Sequence, residues 1–386
     1  MNNASAGYGF QKTYLLKAQS PMIHFQHSAE GACLRATEVK PKFDRFLIRK
    51  FRQQKIDFSA WKSTKDHEAL DYRMTLKASA DHRGTLTIRD FPIYYGNMGN
   101  GEKKEIIFRD CSLTITCFKK ELREQIDRYI GDFFIVTNFG TMQDKGFGSF
   151  VVDGKNSSPE FISECLRREY EAQKCYTFND GGSPDAAFKR IKSVYALMKS
   201  GINHGGYSRS LLFEYMHSKI QENGRTVNIG NEKAWLKQNG IAPALGETRA
   251  QRDVRSYYVR ALLGIGDHVE FLNDPNDRRN KTTVNIKESP ENGTVTLERL
   301  PSPIFFKVIG GDVYFVGQRI HPDVYDKRFY FKSSMGEGYL NTPSLPLVKE
   351  SFIDDFLRFC YQRFCDQRIS PLKKFRDTRD IIIKEV

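Results

Sequence analysis

Apolar and polar positions repeat with two different periods along this chain, and the switches between them outline its elements. Over 122–133, Leu122, Ile126, Tyr129, Ile130 and Phe133 fall at i, i+4, i+7, i+8 and i+11, the one-sided spacing of an amphipathic helix. Phe43, Leu47 and Phe51 repeat in the same way and predict a helix over 34–51. Short runs rich in β-branched and aromatic residues at 13–16, 72–76, 85–88 and 106–118 predict strands. With the apolar run FVV beyond the second helix the order becomes βαββαβ, a split βαβ or ferredoxin-like (RRM-like) unit, assigned to residues 1–157.

The pattern then changes. FISECLRREYEAQKC, AAFKRIKSVYALMKS, SLLFEYMHSKIQ and EKAWLKQNG read as helices separated by the glycine-rich breakers GGSPD, GINHGGYSR and ENGRTVNIG, so 158–245 is expected to be a helical insertion or connector. Phe188, Ile191, Tyr195 and Met198 share one side of their helix and are expected to face a core. His204, Gly205, Gly206 and Arg209 stand before a helix start, either as an anion site or as a simple helix entry. Strand patterns return in TTVNIKE, GTVTLERL, SPIFFKVI and DVYFVGQRI, with the Gly310-Gly311 signal of a tight hairpin between the last two. A last helix is expected over 347–364, with Phe352, Phe356, Phe359, Cys360 and Phe364 along one side. Together with RDVRSYYVRALLGI these predict a second, degenerate ferredoxin-like domain over 246–386, giving an α+β chain of two such domains around the insertion.

Between the helix at 122–133 and the strand after it lies NFGTMQDKGFGSF. Gly140, Gly146 and Gly148 can adopt positive φ and allow close backbone approach, so successive amides, with Lys145 and Phe147 among them, could face an anionic ligand such as phosphate. The loop has neither the strand-then-G-x-G-x-x-G context of a dinucleotide site nor the spacing of a P-loop, and a ligand-free tight turn is the alternative reading.

Charge makes a nucleic-acid partner more plausible. The 386 residues carry 60 Lys and Arg against 47 Asp and Glu, a formal net charge of +13, the footprint of a chain that tracks phosphates. Arg35, Lys40, Lys42, Arg45, Arg49, Lys50 and Arg52 fall within one predicted helix and its lead-in; Arg45, Arg49 and Arg52 share a face opposite the apolar one. A solvated helix face explains such a run equally well. The 29 Phe and 18 Tyr are mostly core material, since a chain of this length must bury large apolar areas.

Seven cysteines without a C-x-x-C pair, and none with histidine at ligand spacing, argue for small buried thiols in a reducing compartment and against zinc. No stretch approaches a membrane span and the first residues lack a signal-peptide pattern, so a soluble cytoplasmic protein without metal or cofactor is expected.

LLKAQSPMIHFQHSAEGACLRATEVKPKFDRFLIRKF, with its strand ending at Ser20-Pro21 and its basic helix, followed by GFGSF, resembles the first half of the RAMP proteins of CRISPR systems. ERLPSPIFFKVIGGDVYFVGQR is similar to the Arg-x-x-Ser-Pro strand and hairpin of RAMP subunits in type III effector complexes, particularly those with two fused domains. The resemblance implies an RNA-binding subunit of an antiviral ribonucleoprotein, partnered by CRISPR RNA or target RNA and by other effector subunits. Arg35, Lys40, Lys42, Arg45, Arg49, Gly140, Lys145, Gly146, Phe147 and Gly148 would then hold sugar-phosphate, leaving sequence choice to base pairing. Pro41 departs from the pattern, occupying the place of a glycine that commonly precedes the RNA-facing helix. No residue is assigned a catalytic role; the alternative is a metal-independent CRISPR-RNA endoribonuclease using His24 and His27, in the loop where related enzymes place an acid or base.

Overall fold

Inward and outward positions alternate along the first strand, β1 (Gln11–Ala18), with Tyr14, Leu16 and Ala18 buried and Thr13, Leu15 and Lys17 on the other face. The computed structural model describes residues 9–23, 33–64, 68–87, 105–202, 208–222, 224–245, 254–274, 277–289 and 300–386. After the two-residue β2 (Met22–Ile23) comes α1 (Ala36–Gln53), then the long strands β3 (Arg73–Thr87) and β4 (Glu105–Thr116), α2 (Lys120–Val136) and β5 (Phe150–Val152). The main strands lie in the order β3-β4-β1-β5, all neighbours antiparallel, with β2 pairing the far part of β4. The two separate strands expected at 72–76 and 85–88 are one, carried through register irregularities around His82. Helices α1 and α2 meet through aromatic rings, Phe133 lying 4.8 Å from Phe43 and 5.6 Å from Phe46.

Next comes α3 (Pro159–Tyr170), which starts cleanly because the Ser158 hydroxyl accepts from the Phe161 amide and proline occupies the first turn. Then follows β6 (Cys175–Asn179), inside the segment expected to be wholly helical. Five residues between two strong helical repeats are too few to assert their own period, and only tertiary pairing identifies them. Its partners are distant in sequence. Helices α4 (Pro184–Lys199) and α5 (Leu211–Ser218) are followed by β7 (Gln221–Glu222), β8 (Arg225–Thr226), β9 (Ile229–Asn231), α6 (Glu232–Gln238), β10 (Arg255–Tyr257), β11 (His268–Asp274) and β12 (Asp277–Glu288). The chain then enters the hairpin β13 (Ile304–Ile309) and β14 (Asp312–Gly317), turned by Gly310 and Gly311 at φ 63° and 89° as the Gly-Gly signal predicts. Last come β15 (Arg328–Lys332), β16 (Glu337–Asn341), α7 (Leu345–Val348), α8 (Phe352–Cys365) and β17 (Lys384–Glu385).

A second antiparallel sheet runs β13-β14-β6-β17, and a third runs β11-β12-β15-β16. RDVRSYYVRALLGI contributes the short β10, parallel to β9, and a 3-10 turn over Val259–Leu263. In that turn Arg260 forms an ion pair with the fully buried Glu232, whose other oxygen accepts from the Val259 amide at 3.2 Å.

The second sheet is buried on both faces. Phe305, Ile309, Tyr314 and Val316 belong to one core with α1, α2 and α3, whereas Phe306, Val308, Val313 and Phe315 belong to another with α4, α5 and α8. This explains why IFFKVI and VYFVG read as nearly unbroken apolar runs. It also isolates one cation. Lys307, in the middle of β13, is fully buried, and its Nζ donates to the Phe134 carbonyl (2.7 Å), the Thr137 carbonyl (2.8 Å) and Asn138 Oδ1 (3.1 Å). Two of those acceptors are the unsatisfied carbonyls at the end of α2, where the helix dipole also favours positive charge. Tyr170 of α3 donates to the neighbouring Val136 carbonyl at 2.7 Å. Burial pulls the Lys307 amine well below its ordinary pKa.

Replacing Lys307 by Met should keep the volume but orphan those carbonyls, lowering stability by about 2–4 kcal/mol. Urea unfolding checks this; a midpoint equal to the parent's would show that the cation is not what closes the end of α2.

Candidate nucleic-acid interface

The glycine-rich loop begins where α2 ends, and its backbone donors turn inward. Gly140 N donates to Glu38 Oε1 at 2.8 Å, Thr141 N to the Ile23 carbonyl at 2.9 Å, and Gly148 N to the Pro21 carbonyl at 2.8 Å. Ser149 N donates to Ser20 Oγ at 2.9 Å, and the Ser20 hydroxyl itself donates to the Gly146 carbonyl at 2.6 Å. These amides are therefore spent inside the protein, which corrects the expectation that the loop presents them to an anion. Its glycines are needed for another reason. A Cβ on Gly148, at φ +69°, would stand 1.9 Å from the Phe139 carbonyl oxygen, and one on Gly140, at φ +79°, 2.4 Å from that of Ile23. At Gly146 a Cβ would press on Ile191 and Val308 at 3.2 and 3.3 Å.

The loop is also the seam with the second sheet. Asn138 Nδ2 donates to the Gln143 carbonyl (2.7 Å) and the Phe306 carbonyl (2.9 Å), Ser149 Oγ donates to the Val308 carbonyl (2.6 Å), and Phe306 N donates to the Asp144 carbonyl (3.0 Å). Phe147 is fully buried and stacks on Phe188 of α4 with centroids 3.9 Å apart, so its ring has no free face for a base. Lys145 does not stand at an open mouth: its side chain is only 12% exposed, its Nζ lies 2.9 Å from Asp144 and 3.7 Å from the centre of the Tyr195 ring. Burial pushes the Tyr195 phenol up, but Lys145 and Lys199 outweigh it and leave the group below its ordinary value.

The cations of α1 divide in the same way. Lys40 pairs with Asp44 at 2.7 Å, donates to the Leu70 carbonyl and covers the Tyr72 ring. Lys42 donates to Glu38, the Asn138 carbonyl and Gln143 Oε1; burial lowers its pKa against the upward pull of Glu38. Arg49 pairs with Glu169 of α3, which also holds Lys50, and Arg52 pairs with Glu68. Arg35 and Arg45 remain exposed, and neither forms an ion pair among the described residues. At 100° per residue, Glu38, Lys42 and Arg45 fall on one stripe of α1, with Arg35 the extended N-cap residue just ahead of it, and Glu38 and Lys42 tie that stripe to the glycine loop. Beside Arg35 the Cys33 thiol is brought down to about 7 by its hydrogen bond with Cys111 and by Arg109 and Arg35.

His24, His27, His204, Gly205 and Gly206 lie outside the described residues. Arg209 is half-buried, and Ser210 caps α5 by accepting from the Phe213 amide. Sequence reasoning missed Ser20, Asn138 and Lys307; a lysine inside IFFKVI was the one signal available, because an unbroken apolar strand admits a charge only for a specific partner. Among the described residues no group of three His, Cys, Asp or Glu is arranged to hold a metal, and no helix is long and apolar enough to cross a membrane.

A family model described as the Cmr1 N-terminal domain matches residues 10–202, and one described as the Cmr1 C-terminal domain matches residues 207–384. Among solved structures the chain is similar to Cmr1 from Pyrococcus furiosus in its apo form, at 10% identity and a TM-score of 0.43, covering 97% of this chain and 98% of that one. It is also similar to a chain of the Type III-B Cmr-beta bound to cognate target RNA, at 11% identity and a TM-score of 0.27, covering 37% of this chain and 58% of that one. No curated protein matches.

Three substitutions in and near the loop separate backbone collision from loss of a contact. Gly148→Ala should cost about 3 kcal/mol or more through backbone collision as well as left-handed strain, whereas Gly154→Ala, at φ +75° with open space around it, should cost only about 1–2 kcal/mol. Lys145→Met, which removes the cation from the Tyr195 ring, should lower stability by about 1–2 kcal/mol. Thermal unfolding of the three proteins side by side is the check.

Proposed function

This chain belongs to the Cmr1 family of CRISPR RAMP proteins, and on that premise we propose that it is a subunit of a type III CRISPR effector that holds RNA by its sugar-phosphate backbone. The observation that carries the RNA contact is the stripe on α1. Arg35, at the N-cap, and Arg45 are exposed and form no ion pair among the described residues, while Glu38 and Lys42 between them fix the helix to the glycine loop. Two free guanidiniums on a held support suit phosphate, which they can engage bidentately and without regard to base identity. Gly140, Lys145, Gly146, Phe147 and Gly148 would act as the frame that positions this stripe. Lys40, Lys42 and Arg49, already paired within the protein, would add electrostatic field rather than direct contacts.

The strand orders support two βαββαβ units of ferredoxin type. The second unit would start with β6 and α4, near residue 175 rather than 246, and continue after a long insertion with β13, β14, α8 and β17. Neighbouring effector subunits and CRISPR or target RNA are the partners this reading implies.

Converting Arg35 and Arg45 together to Gln should weaken single-stranded RNA binding similarly for unrelated sequences, and should flatten the dependence of log K on log salt by about 0.7 for each lost contact. Fluorescence anisotropy across a salt series measures both. An unchanged slope would remove α1 from the contact surface.

A further inference from the structure

Of the faces of the first two sheets, one is left uncovered by the described residues. The second sheet is buried on both sides, and the first is covered by α1 and α2 on the side of Tyr14, Leu16, Leu113 and Ile115. Its opposite face carries no packed element among the described residues. Register fixes what stands there: Arg73, Thr116 and Gln11 in one row, Thr75, Thr114 and Thr13 in the next, and Lys77, Ser112 and Leu15 in the third. Arg73, Thr75 and Lys77 are exposed. The Thr13 and Thr114 hydroxyls lie 3.0 Å apart.

We propose that this open face is a second RNA surface, one that lays a single strand across β3, β4 and β1. Neither Arg73 nor Lys77 forms an ion pair among the described residues, while Asp110 is matched by Lys17 at 3.2 Å and Asp71 by Lys119 at 3.0 Å. The row between the two cations is all threonine, and their own rows add Thr116 and Ser112, hydroxyls that donate and accept and so suit phosphate and the ribose 2′-OH. Just past the Arg73 end, two residues beyond Thr116 and the end of β4, stands Phe118. It is 76% exposed, and its ring is braced by Phe10 at 4.9 Å. A braced aromatic with an exposed ring, next to a free cation on an antiparallel sheet, is the arrangement on which an unpaired base stacks while its phosphate is held.

A protein partner fits less well. Stable protein interfaces have a desolvated apolar centre with few charges, and the centre of this face is a threonine row between Arg73 and Lys77. The two cations lie four residues apart on β3, roughly 13 Å at the rise of a strand, far enough to engage separate phosphates of one chain.

This inference rests on the RNA-holding reading above, and its test separates the two. Full-length protein is titrated with a short fluorescent single-stranded RNA across a salt series, as parent, Arg73→Gln with Lys77→Gln, Phe118→Ala, and Arg35→Gln with Arg45→Gln. The Arg73/Lys77 variant should lose about 1.4 from the salt slope. Phe118→Ala should weaken binding roughly five- to 100-fold with the slope unchanged, since a stacked base carries no counterion. Photocrosslinking with 4-thiouridine RNA should label the peptide containing Phe118 in the parent. If the α1 variant loses binding while both sheet variants match the parent, the open face is not an RNA surface and the α1 reading stands. A parent that binds no RNA overturns both. Sheet variants that keep RNA affinity but no longer assemble with neighbouring effector subunits make the face a protein interface and overturn the proposal.

Discussion

The end of α2 must be closed by something outside the helix, and much of the molecule is arranged around how that is done. Its last carbonyls accept from Lys307 of β13 and Tyr170 of α3. A buried ammonium is costly unless nearly every proton finds an acceptor, and here the acceptors are helix-end oxygens and Asn138 rather than a carboxylate. The same residues therefore satisfy the helix and dock the second sheet. Asn138 and Ser149 complete the seam by donating to the carbonyls on either side of Lys307.

Seen from this seam, the glycine loop has an architectural reason for its composition. It threads between Ser20-Pro21, the start of α1 and β13, and the space a side chain would need is occupied at Gly140 by the Ile23 backbone and at Gly148 by the loop's own backbone at Phe139. Sequence showed that the loop was special, since three glycines and a lysine between a helix and a strand are legible as such. Whether ligand or protein sits against those glycines was not legible, because both demand the same missing Cβ.

The first unit's elements were legible because each keeps its period for long enough: α1 and α2 run to 18 and 17 residues with clean apolar faces. The short β6 was not, and neither was the identity of the free cations on α1. A basic run looks uniform in sequence, but its members separate according to carboxylates such as Glu169 and Glu68 that are distant along the chain. Opposite faces of a strand differ in the same hidden way: Arg73-x-Thr75-x-Lys77 alternates visibly, but only the layering tells which side stays open.

The interrupted second sheet also sets an order of events during synthesis. The strands of the first sheet have all been made by Val152, whereas Thr177 pairs with Tyr314 and Lys384, so β6 waits for more than a third of the chain before its neighbours exist. During that interval the apolar sides of α2 and α3, later covered by Phe305, Tyr314 and Val316, stand without cover. Contacts separated by such distances form slowly, and surfaces that wait for them are prone to self-association. A nascent chain of this protein is thus most vulnerable after its first half has folded, and conditions that slow the arrival of the last strand will lower yield without any change in the finished molecule.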